Sequence, residues 1–165
     1  MVKKGKAWKF GDNISTDLIA PGRLFHLRSN LTELAKHVLE DADPEFASRM
    51  NKGDFVVGGR DFGLGSSREH APTIINLAGV SAVIAKSFAR IFYRNAINVG
   101  LPVIQCDTDN IDTGDELELK LEEGTLKNIT KNITLTFPPL PGVMQAILDD
   151  GGLLPYIRKH GDFKL

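Results

Sequence analysis

The sequence predicts a mixed α/β domain with a β-rich flank, and three observations carry that prediction. Between residues 54 and 105, short apolar runs alternate with segments of helical character, the strand–helix–strand–helix–strand order of a parallel α/β layer. From residue 111 onward apolar and polar residues alternate one by one, as in Glu116-Leu117-Glu118-Leu119-Lys120-Leu121, the period of a half-exposed antiparallel strand. The 165 residues contain no internal repeat and no low-complexity tract, so 1–165 reads as one domain with enough chain to bury a core.

In chain order, Ala7-Trp8-Lys9-Phe10 reads as a short strand and Gly11-Asp12-Asn13 as the turn after it. A polar loop follows from Ser15 to about Arg28, bent at Pro21-Gly22. Leu31, Leu34, Ala35 and Val38 recur at helical spacing and predict a helix over 31–40; Pro44 opens a shorter one with Phe46 and Met50 turned inward. Residues 54–59 look like a buried strand entering a loop at 60–67, and a helix should begin by about residue 69 and end near Gly79. A second strand is expected at 80–85, a helix at 87–98 and a third strand at 101–105. Strands at 116–121 and 129–137, with a turn at Glu123-Gly124 between them, make one antiparallel hairpin. Residues 142–150 and 153–160 are predicted helices that return to the sheet.

Composition excludes several functions. Net charge is -1 and no stretch concentrates Lys or Arg beyond Lys3-Lys4, so a nucleic-acid partner, which needs a basic face, is not expected. No apolar run is long enough to cross a bilayer and the first residues carry no secretory segment; no membrane partner is expected, and the expected location is cytoplasmic. One cysteine, Cys106, rules out an internal disulfide framework. Iron–sulfur clusters take three or four thiolates and zinc sites four N or S ligands; Cys106 with His26, His37, His70 and His160 makes neither pattern. Any metal chemistry would need ligands from another chain. Cys106 itself reads as a small buried residue after a strand.

The stretch Gly58-Gly59-Arg60-Asp61-Phe62-Gly63-Leu64-Gly65-Ser66-Ser67-Arg68-Glu69-His70-Ala71 is a glycine-rich turn between a buried strand and a helix. Glycines let the backbone take positive φ and approach a ligand, free N–H groups at a helix start bind anions, and an arginine fork suits a carboxylate or phosphate. The alternative is bland: Ser66 or Ser67 caps the helix and Arg68 pairs with a surface acid. No Lys follows the glycines, which argues against a phosphate-binding P-loop, and Pro72 together with a missing third glycine argues against a dinucleotide site.

The run from Gly59 to Ala71 closely resembles the signature of the swivelling domain of the aconitase superfamily. Three further segments resemble it in the same order: Gly11-Asp12-Asn13-Ile14-Ser15-Thr16-Asp17, Lys86-Ser87-Phe88-Ala89-Arg90-Ile91-Phe92, and 93–102. The likeness covers nearly the whole chain, and the length is similar to that of the stand-alone small subunits of isopropylmalate isomerases. The fold it implies is the superfamily's swivelling β/β/α domain, a mixed sheet of parallel strands with flanking helices plus an antiparallel hairpin.

The resemblance also implies roles. Ser66 matches the serine that removes a proton beside a carboxylate, its alkoxide to be stabilised by backbone N–H groups of the turn and helix start. Arg68 matches a substrate-carboxylate arginine, Ser67 a hydrogen-bonding neighbour of the substrate, and Arg28 a second carboxylate arginine. Asp17 matches an active-site aspartate that orients groups on the larger chain. A solvated arginine, a pure cap and a loop aspartate bonded to backbone amides remain the alternatives for Arg28, Ser67 and Asp17. His26 departs from the tyrosine common at its place, which bears on substrate choice. Arg90, Arg94, Asn95 and Asn98 are expected to shape the fold or a subunit interface.

The implied cofactor is a 4Fe-4S cluster bound by a large subunit, in a heterodimer or heterotetramer, and not by this chain. The implied substrate is a small hydroxy di- or tricarboxylate, isomerised by dehydration and rehydration. Isopropylmalate in leucine biosynthesis is the first expectation. Homoaconitase and methylmalate (citramalate) dehydratase are the chemical rivals, and a non-catalytic anion-binding module is the rival of another class.

Overall fold

The computed structural model describes residues 2–66 and 68–161. One seven-stranded sheet runs through them in the order β4-β3-β2-β1-β5-β6-β7. Strand β1 (Val2–Lys9) is the seam. It pairs in parallel with β2 (Phe55–Val57), which continues in parallel to β3 (Ala82–Ala85) and β4 (Val103–Gln105). On its other edge β1 pairs antiparallel with β5 (Glu116–Lys120), followed by β6 (Thr125–Asn128) and β7 (Ile133–Thr136).

The burial pattern follows from that seam. Every residue of β2 and β3 is fully buried, as expected where helices cover both faces of a parallel layer. In β5 Leu117 and Leu119 are buried while Glu116 is exposed, the alternation of a one-sided sheet. Three short helices, α1 (Thr16–Ile19), α2 (Leu31–Ala35) and α3 (Phe46–Arg49), lie between β1 and β2; the helix after β2 is α4 (His70–Leu77) and the helix after β3 is α5 (Arg90–Asn98). Helices α6 (Gly142–Asp149) and α7 (Leu153–His160) reach the molecule by packing on α5. No helix among the described residues is long and apolar enough to cross a membrane.

Three departures from expectation have local causes. The antiparallel flank carries three strands rather than two: 125–128 is itself a strand, ending on the buried Asn128. Asn is depleted in strands, but here its amide donates to the Asp115 carboxylate at 2.8 Å and the Asn110 carbonyl at 3.2 Å. The helix expected over 31–40 is shorter, α2 (Leu31–Ala35), because the chain turns at Leu39, which has a φ of 57° and donates its N–H to the Ile19 carbonyl. The loop from Ser15 to Arg28 is more ordered than its polarity suggests, holding α1 (Thr16–Ile19) and a 3-10 turn over Gly22–Leu27.

The junction between the two halves of the sheet rests on Asp54, which is 5% exposed. It accepts from Lys6 N at 3.1 Å, Trp8 Nε1 at 3.0 Å and Asn51 N at 2.9 Å. A buried carboxylate with that many donors fixes the start of β2 against β1.

Candidate active site

Segments distant in sequence meet beyond the carboxyl ends of β1, β2 and β3. Backbone bonds extend the sheet pattern there: Asn13 N–H donates to the Arg60 carbonyl at 2.8 Å, Gly63 to Ile14 at 2.7 Å, Thr16 to Leu64 at 2.8 Å and Ala89 to Phe62 at 2.9 Å. Single bridges join Ser15 to Leu64 and Phe62 to Phe88. The glycine loop is thus clamped between 11–16 and 86–89, which is why the separate motifs of the sequence form one site. Phe62 anchors the loop, its ring 5.4 Å from Phe92 and 6.0 Å from Phe88. Gly63 crosses directly over Phe92 with φ +85°, and a Cβ there would overlap that ring.

The loop presents Ser66 at its exposed end. The Ser66 carbonyl accepts from Thr16 Oγ1 at 3.1 Å, and Thr16 is buried. The Ser66 hydroxyl accepts from Arg68 Nε at 3.1 Å. Arg68 in turn pairs through Nη1 with Asp17 Oδ1 at 3.0 Å, with side-chain exposures of 24% and 63%. Three consecutive residues therefore have three tasks: Ser15 caps α1 by accepting from Leu18 N at 3.2 Å, Thr16 holds the loop, and Asp17 holds the arginine. Arg68 thus pairs with an exposed acid, and that acid is itself one of the candidate residues.

Helix α4 begins at His70, with Glu69 at its N-cap giving no side-chain bond. Ser66 therefore lies too far upstream to cap it. Among the described residues the Ser66 hydroxyl accepts from the Arg68 guanidinium, a donor that the sequence reading did not include. Pro72 sits third in α4, inside the first turn, where its missing N–H breaks no helical bond. His70 lies beside the arginine; burial first, then the Arg68 charge, pushes its imidazole below the usual range.

Arg28 ends the 3-10 turn, where residues three apart eclipse. Its guanidinium lies over the Phe25 ring at 4.2 Å and donates to the Phe25 carbonyl at 3.2 Å. The Arg68 guanidinium lies 5.3 Å from the same ring centroid. Ser66, Arg68, Asp17 and Arg28 thus come together, while Ser67 lies outside the described residues. A cleft of about 210 Å³ opens beside Ser66 and Arg68, with Arg90 and Asn95 of α5 on its other wall. Arg90 and Asn95, read from sequence as fold or interface residues, face this cleft. Phe25 was missed; the only signal for it was its spacing of three from Arg28 in a turn. The arrangement can bind an anionic group between guanidinium groups and offer it an oxygen base.

The same residues do not fit an iron–sulfur cluster. Cys106 is half-buried at the end of β4, does not line the Ser66 cleft, and burial together with Asp107 pushes its thiol up to about 11. Among the described residues no group of three His, Cys, Asp or Glu could hold a metal ion.

Comparison with known proteins gives the same picture. The aconitase C-terminal domain family matches residues 25–109. A 3-isopropylmalate dehydratase small subunit 2 from Archaeoglobus fulgidus is 65% identical over 161 residues, covering 98% of this chain and 98% of that protein. A 3-isopropylmalate dehydratase small subunit 1 from Thermotoga maritima is 62% identical, covering 97% of each. The crystal structure of a 3-isopropylmalate dehydratase from Methanocaldococcus jannaschii superposes with a TM-score of 0.92 at 45% identity, over 98% of this chain and 96% of that one. With the swivelling-domain fold, the glycine loop and near-complete coverage of such relatives, the chain belongs to the 3-isopropylmalate dehydratase small-subunit family of the aconitase superfamily.

Proposed function

We propose that this chain is the small subunit of a 3-isopropylmalate dehydratase, a hydro-lyase that interconverts 2-isopropylmalate and 3-isopropylmalate in leucine biosynthesis. The whole chain would act as one swivelling domain over a large subunit, as a heterodimer or heterotetramer in the cytoplasm. Relatives named small subunits support this reading, as does a site that brings a serine hydroxyl together with two guanidinium groups. The 4Fe-4S cluster would sit on the large subunit, which would supply its ligands.

This chain's residues have the following work. Arg68 and Arg28 hold substrate carboxylates. The Ser66 oxygen takes the proton from the carbon beside a carboxylate. The C–H electron pair becomes the double bond, and the hydroxyl leaves from the neighbouring carbon. Re-addition of water in the opposite sense gives the isomer. The observation that carries this assignment is the 3.1 Å bond from Arg68 Nε to Ser66 Oγ. A cationic donor on that oxygen favours its ionised form, which an isolated serine hydroxyl in water would not reach. Asp17 keeps Arg68 in that pose and, in the assembled enzyme, orients groups of the larger chain. Ser67 is a further hydrogen-bonding partner of the substrate.

A second reading, the small subunit of a homoaconitase, draws on two guanidinium groups over one ring, which suit a tricarboxylate. The test is co-purification with the large chain and anaerobic assay on isopropylmalate, homocitrate, cis-homoaconitate and citramalate side by side. Turnover of isopropylmalate best of all is expected. Preference for homocitrate and cis-homoaconitate would select the second reading, and no turnover of any would end both.

A further inference from the structure

We infer that Phe25 is a positioning residue that holds Arg28 and Arg68 together as a pair, an inference that rests on reading those two arginines as carboxylate clamps. Leu24 and Leu27, its neighbours in the 3-10 turn, pack against the core, whereas Phe25 does not and remains 46% exposed. A ring that remains half exposed gains less from burial than the core aromatics do. Its contacts are cationic instead: Arg28 at 4.2 Å and Arg68 at 5.3 Å, both within the roughly 6 Å at which a guanidinium feels a ring quadrupole.

Two like charges brought to one anion site repel each other until the anion arrives. Asp17 offsets the charge of Arg68, while the contacts of Arg28 are with the Phe25 carbonyl and ring. The ring therefore gives the two cations a shared attractive surface. It also removes rotamer freedom that a diacid would otherwise have to freeze on binding. Phe25 acts through the arginines and touches no reacting atom, so its loss should appear in KM far more than in kcat.

The test uses the reconstituted two-chain enzyme with Phe25→Leu and Phe25→Tyr. Leucine keeps apolar bulk but has no π face, and tyrosine keeps the face. Phe25→Leu should raise KM for the diacid about 5- to 20-fold, with kcat within about three-fold, and Phe25→Tyr should restore KM to within about three-fold of the starting enzyme. Unchanged KM in Phe25→Leu, or equal damage in both variants, overturns the inference. A second arm needs no activity: in the free chain labelled with 15N-arginine, the Nε–Hε signals of Arg28 and Arg68 should carry ring-current shifts that vanish in Phe25→Leu. Absence of such a shift at Arg68 also overturns it. If the unsubstituted pair turns over none of the diacids, the functional reading falls, and the ring-current arm still decides whether Phe25 organises the arginines.

Discussion

Replacing Arg68 by lysine tests the site at the group on which most contacts converge. The guanidinium bonds Ser66 Oγ through Nε at 3.1 Å, pairs with Asp17 through Nη1 at 3.0 Å and lies 5.3 Å from the Phe25 centroid. Lysine has one ammonium on a flexible stem, so it can keep the Asp17 partner but not the Ser66 bond at the same time. A charge-assisted hydrogen bond contributes about 1.5–3 kcal/mol; the partial exposure of Arg68 argues for the lower end, about 1.5–2 kcal/mol. Loss of the flat cation over the ring adds about 0.5–1 kcal/mol. The total of roughly 2–3 kcal/mol predicts a fall in kcat/KM of about 30- to 150-fold. The assay is anaerobic turnover by the reconstituted pair, following the unsaturated diacid by its ultraviolet absorbance, beside a melting curve of the free variant chain. A fall in kcat as well as a rise in KM is expected, because the arginine supports both the base and the substrate. Activity within about three-fold of the parent would refute the reasoning. So would a loss fully explained by unfolding.

Two further outcomes follow from the surroundings of the loop. Gly63→Ala must place a Cβ on Phe92 at a φ of +85°, so denaturant titration should show about 2–4 kcal/mol of lost stability; a cost below about 0.5 kcal/mol would mean that the loop is not clamped there. His70 titrates below its ordinary value of 6.5 when folded, so the unfolded chain binds more protons as pH falls through that range. Stability should be unaffected by this group above 6.5 and should decline as pH drops from 6.5 towards the lower folded value, and His70→Gln should flatten that part of the pH profile. Identical profiles for parent and variant in urea melts would contradict it.

What the sequence made legible was what local pattern encodes. The parallel layer could be read because β2 and β3 are buried on both faces and so appear as unbroken apolar runs. Ser66, Arg68 and Asp17 could be read because they sit in motifs that the superfamily signature spans. The third antiparallel strand could not, because Asn128 is buried through partners at Asn110 and Asp115 that no local window contains. The partner of the Ser66 oxygen was missed for a related reason. The sequence placed the helix start at about residue 69, and α4 begins at His70, but periodicity does not encode the side-chain direction that turns the Arg68 guanidinium back onto the Ser66 hydroxyl. Phe25 escaped because an exposed aromatic in a polar loop has no periodicity, and its meaning depends on Arg68, more than forty residues later in the chain.

The most direct measurement is deuterium exchange from solvent into the substrate carbon beside the carboxylate, comparing the reconstituted parent enzyme with Ser66→Ala. If the Ser66 oxygen is the proton acceptor, exchange and net turnover should both drop by about a thousand-fold or more while the variant chain melts as the parent does and still binds its partner. Exchange persisting at near-parental rates in the alanine variant would contradict the account.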